Sequence, residues 1–71
     1  MNAIGKNLKQ IRERKQITQE QLAIRLTTEG WEVDRFLISK IERGERQVTD
    51  IQAMLIADAL HVKLKELFGR E

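Results

Sequence analysis

Residues 34–44 read Asp-Arg-Phe-Leu-Ile-Ser-Lys-Ile-Glu-Arg-Gly, and the spacing of three aliphatic residues within that run decides the fold. At about 100° per residue, Leu37, Ile38 and Ile41 fall within a helical sector of roughly 100°. The opposite face carries Phe36, Ser39, Lys40 and Arg43, with Arg35 at its edge. Asp34 suits the N-cap, because its carboxylate meets unpaired backbone N–H groups and the positive end of the helix dipole. Gly44 stands where a left-handed residue ends a helix. The run therefore predicts a short helix with an aliphatic face to bury and a basic, hydrogen-bonding face to present.

The same helical spacing extends outward in both directions. Ile4, Leu8 and Ile11 form one stripe, with Ile17 after a polar break. Leu22, Ala23 and Leu26 form another. Beyond the central helix come Ala53, Ile56, Ala57 and Leu60, widened by Met54 and Leu55, and then Leu64, Leu67 and Phe68. Thr18 with Gln21 and Thr49 with Gln52 have the capping-box spacing, in which a hydroxyl accepts from the backbone three residues on and the amide reaches back. β-Branched residues never alternate with polar ones over a strand's length. The prediction is an all-α fold of five helices, near 3–15, 18–27, 34–43, 49–60 and 63–68, in one domain spanning 1–71. Ile51, Leu55 and Leu64 are assigned to the core, Met54 to the core or a dimer contact, and His61 to a surface or capping place in the last turn. A core this small is marginal alone, so apolar surface left by the last two helices invites a second copy.

Of the 71 residues, 41% are apolar and 34% are charged with both signs, a balance that favours a small folded domain over a disordered chain. The absence of cysteine removes disulfides, thiolate metal sites and cysteine catalysis, and the single histidine, His61, removes a His-rich metal site. No Gly-rich phosphate loop is present, and the acids are scattered, read as mostly paired with bases at helical spacing, as Glu20 with Arg25 five residues on. No catalytic site, metal or cofactor is expected. The longest apolar run, Ala53 to Ala57, has five residues, far short of a membrane span. No apolar stretch follows Lys6 and Lys9, so no secretory signal is read, and a cytoplasmic protein is expected. The net charge is only +2, but residues 1–17 alone hold +4, while 18–48 and 49–71 each hold −1. A basic N-terminal segment suits a polyanion, although a solvated helix face would look the same.

The outer face of the third helix has a chemical use. A helix fits the major groove of B-DNA, where Arg or Lys donates to guanine O6 and N7, and a Ser hydroxyl reaches a base edge or a phosphate. Phe36 has two readings: contact with a thymine methyl, or folding back near Trp31. For Lys40 and Arg43 the plain alternative is solvated surface charge.

Ile17-Thr18-Gln19-Glu20-Gln21-Leu22-Ala23, followed by Ile38-Ser39-Lys40-Ile41-Glu42-Arg43-Gly44, closely resembles the Xre/Cro-type helix-turn-helix family of bacterial and phage regulators. The resemblance runs from Ile4 to Phe68 and includes Ala57-Asp58-Ala59-Leu60-His61-Val62 with Leu67-Phe68. It implies a compact five-helix bundle of the lambda-repressor-like DNA-binding type, with helices two and three as the reading unit. By position it implies base contacts for Arg35, Phe36, Ser39 and Lys40, and phosphate contacts for Thr18, Gln19, Arg43 and Arg46. It also implies a partly buried structural salt bridge between Arg12 and Glu42. One departure stands out. The family turn is about 3–4 residues, whereas Thr27 to Val33 separates Leu26 from Asp34, an insertion of about five residues that lengthens the turn. Trp31 reads as the anchor of that segment, with a base or sugar contact as the sharper alternative.

These readings lead to a sequence-specific double-stranded-DNA-binding protein, a homodimeric transcriptional repressor on a palindromic operator. Helix five with the 68–71 tail is the expected dimer surface. A regulatory signal would arrive through a protein partner, proteolysis or concentration. The competing reading is an antitoxin-like or coactivator-like protein-interaction module built on the same bundle, for which a basic outer face on helix three would have no purpose.

Overall fold

Helix starts lie where the capping residues place them. In the computed structural model, which describes residues 3–69, the elements are α1 (Ala3–Arg14), α2 (Gln19–Thr28), α3 (Arg35–Glu42), α4 (Asp50–Leu60) and α5 (Leu64–Leu67). Thr18 and Thr49 each form both halves of a capping box with Gln21 and Gln52. The Asp34 carboxylate accepts the Leu37 N–H at 2.9 Å. These bonds satisfy backbone donors that a helix start otherwise leaves unpaired.

The α3 terminus is fixed as firmly. Gly44 takes φ +79°, and the Glu45 and Gly44 N–H groups donate back to the Lys40 and Ile41 carbonyls. This closing turn needs a left-handed residue, which glycine adopts without the Cβ penalty. His61 takes the same conformation, φ 58°, at the end of α4, and is exposed, as its place in the turn predicted.

Leu8, Leu22, Leu26, Ile38, Ile41, Ile56, Leu60 and Leu67 are fully buried and form the centre of the core. The helix α3 packs against both α1 and α2, α4 packs on α2 and α5, and α5 returns to α1. Close approach of α1 to α3 depends on Gly5, where an added Cβ would collide with the Ile41 carbonyl oxygen. The Arg25 guanidinium donates to the Ala59 carbonyl at 2.9 Å, a cation at the negative end of α4.

The long connection between α2 and α3 is pinned. The Trp31 N–H donates to the Leu26 carbonyl, the Thr27 hydroxyl bonds with the Val33 backbone, and Trp31 and Val33 pack half-buried against the core. Trp31 is thus the anchor the sequence suggested.

Three expectations need correction. Ile51 is not core: it is 71% exposed, on the outer side of α4. Leu55 and Leu64, assigned to the core, and Leu37 on the inner face of α3 are half-buried against the core rather than within it. The acids are not mostly paired: among the described residues the ion pairs are Arg12–Glu42 and Arg43–Glu45, and Arg25 serves Ala59, not Glu20. Residues 70 and 71 of the expected dimer tail lie outside the described residues.

Candidate nucleic-acid interface

The buried side of α3 sets what its other side shows. Ile38 and Ile41 are sealed in the core, which turns Arg35, Phe36 and Lys40 to the exterior and leaves Ser39 half-buried. Phe36 is 64% exposed, and the Arg35 guanidinium lies 5.0 Å from the centre of its ring. Phe36 therefore does not fold back into the bundle. A cation over an aromatic face is a favourable contact, and it holds both groups at the N-terminal end of α3.

At the other end of the helix, Arg43 donates to the Ser39 hydroxyl and, through two nitrogens, to Glu45 at 2.8 and 3.2 Å. Hydrogen bonding and attraction from Arg43 hold the Glu45 carboxyl below its ordinary range, and the same contacts raise the Arg43 guanidinium above its own. Arg46 follows, exposed, with no ion pair among the described residues.

The start of α2 completes the surface. The Thr18 oxygen accepts the Gln21 N–H at 3.0 Å, which leaves the hydroxyl proton free to donate. Gln19 is half-buried, and its amide donates to Glu42 at 2.9 Å. Glu42 in turn takes two bonds from Arg12, at 2.7 and 3.2 Å, while a third Arg12 nitrogen donates to the Ile17 carbonyl at 2.9 Å. The Arg12–Glu42 bridge implied by the family resemblance is therefore present. Sequence reasoning missed that Gln19 joins it. The only available signal was that an amide in the first turn of α2 faces the acid of α3.

The arrangement presents a hydroxyl able to donate at the start of α2, an exposed cation–aromatic pair on α3, and exposed guanidinium and ammonium groups along α3 and the turn after it. It suits a polyanion with readable edges, and defines the class as helix-turn-helix DNA-binding proteins. The helix-turn-helix family model matches residues 8–67, and the chain belongs to that family, of the Cro/C1 type. A solved structure of the restriction-modification controller protein C.AhdI from Aeromonas hydrophila is similar, with 31% identity and a TM-score of 0.81 over 94% of this chain and 90% of that one. No match was found among curated proteins. Family and structural likeness together place the chain among DNA-binding regulators of transcription. No described helix is long and apolar enough to cross a membrane.

Proposed function

We propose that the chain binds double-stranded DNA sequence-specifically as a homodimer and represses transcription, with α3 in the major groove. The observation that carries this reading is the outer face of α3. Arg35, Phe36 and Lys40 are free to approach base edges, and Ser39 lies between them. Thr18, Gln19, Arg43 and Arg46 flank that face and would hold phosphates on either side. The likeness to a restriction-modification controller protein supports a role in controlling expression. A protein seated in a promoter's groove represses by occupancy alone, with no second activity required.

For the dimer, Ile51 and Met54 lie one turn apart on α4 and are 71% and 54% exposed, with exposed Phe68 at the end of α5. Covering them with a second copy would set two α3 helices on successive grooves, about 34–36 Å apart, on a palindromic operator.

Selection of bound sequences from a random duplex pool tests the reading, and enrichment of an inverted repeat is the expected result. On the selected site, Arg35→Ala is expected to cost about 1–3 kcal/mol and relax preference at one base. No enrichment, together with passage through a duplex DNA column at low salt, would instead favour a protein-interaction module.

A further inference from the structure

One side chain stands outside the interface described above. Ile24, in the middle of α2, is 60% exposed although three other aliphatic residues of that helix are buried. It forms a ridge between two grooves. The first runs between α2 and the entry to α3, past Glu20, Thr27, Val33 and Asp34. The second runs between α2 and the end of α4, past Glu29, Asp58, Ala59 and His61. Ile24 and Thr28 wall both.

The charges on this ridge are opposite to those of the α3 face. Glu20, Glu29 and Asp58 are exposed, and among the described residues none of the three has an ion pair. Asp34 is occupied as the cap of α3. The one guanidinium present, on Arg25, is turned to the Ala59 carbonyl. A DNA backbone would be repelled here. An apolar ridge with grooves on both sides fits branched side chains, and the carboxylates at both margins fit lysine or arginine beside them.

We propose that the Ile24 ridge is a docking surface for a basic, amphipathic segment of a different protein. Such a segment places aliphatic side chains in the two grooves and its cations against Glu20, Glu29 and Asp58. The proposal goes beyond the DNA-binding reading and does not depend on it, since none of these residues lies on the outer face of α3.

The test uses the full chain, isotopically labelled, titrated with three helical peptides: Leu/Lys amphipathic, Leu/Glu amphipathic with the same pattern, and Lys-rich without the apolar stripe. Saturable NMR shifts from the Leu/Lys peptide are expected at Ile24, Thr28, Glu29 and Asp58. Ile24→Ser is expected to weaken that binding about tenfold, the loss of most of one buried aliphatic side chain. Glu29→Lys with Asp58→Lys is expected to weaken it at low salt more than at high salt. Thermal stability is expected to stay at the parent value in both variants, and duplex binding to stay at the parent value in Ile24→Ser. Equal binding of the Leu/Glu or Lys-rich peptide, shifts centred elsewhere, or unchanged binding by Ile24→Ser would each overturn the proposal. So would a change in oligomeric state on Ile24→Ser, which would make the ridge an interface between copies of this chain.

Discussion

Two arginine–carboxylate pairs meet at the C-terminal end of α3, with nearly the same geometry. Arg12 grips Glu42 through two nitrogens at 2.7 and 3.2 Å, and Arg43 grips Glu45 at 2.8 and 3.2 Å. Their surroundings differ. The side chains of the first pair are 10% and 4% exposed, those of the second 53% and 56%. The first pair ties α1 to α3, and Gln19 and the Ile17 carbonyl complete its hydrogen bonds. The second lies in solvent on the surface proposed to meet DNA. Contact distance is thus a poor guide to what an ion pair does. Removing one partner of a sealed pair strands a charge away from water, whereas water takes over for a lost exposed partner.

Stability measurements on single variants can break this contrast. Glu42→Ala is expected to cost about 3–5 kcal/mol, because it leaves the Arg12 guanidinium buried without its counter-charge. Glu45→Ala is expected to leave the urea midpoint unmoved. Similar midpoints for the two variants would refute the distinction. Gly5→Ala sharpens it by disturbing the α1–α3 seam without touching any charge. The added methyl meets the Ile41 carbonyl, which belongs to rigid helix backbone, and overpacking of this kind is expected to cost about 1–3 kcal/mol. A neutral Gly5→Ala would mean that α1 shifts freely, and that the Arg12 pair does not fix its place.

How far each pair was legible in the sequence follows from the same physics. The five helices were readable because caps and apolar spacing act locally: Thr18, Asp34 and Thr49 cap where their residue types predict. Burial around α4 was harder. Its sequence is apolar nearly all round, so periodicity alone could not separate exposed Ile51 from buried Ala53 and Ile56. The Glu20–Arg25 pairing failed because residues five apart point in different directions on a helix, where neighbours are three or four apart. Arg12–Glu42 spans thirty positions, and it came from the family resemblance. Arg43–Glu45 is illegible in the sequence for a different reason. Residues two apart do not meet on a helix, but the left-handed turn at Gly44 reverses the chain and brings Glu45 under Arg43.

That reversal has a measurable consequence for binding. Glu45 holds a guanidinium that would otherwise be free for a phosphate, and its own charge would face the duplex. Glu45→Gln is therefore expected to raise affinity for random duplex DNA several-fold and to steepen the salt dependence by about 0.9, one further counterion released. The sign with pH follows from the direction of the shift. Because Arg43 holds the Glu45 carboxyl below the ordinary range, the pair is intact throughout neutral pH. It is lost only as pH falls through that lowered value, and any stability it adds is lost with it. Over that acid interval the parent's affinity is expected to climb toward that of Glu45→Gln, while the variant shows no such rise from this position. Fluorescence anisotropy on a labelled duplex at several salt concentrations and pH values reads both effects. Identical salt slopes for parent and variant would mean that Arg43 leaves Glu45 at no cost when DNA arrives, and that the exposed pair has no part in setting how tightly unspecific sites are held.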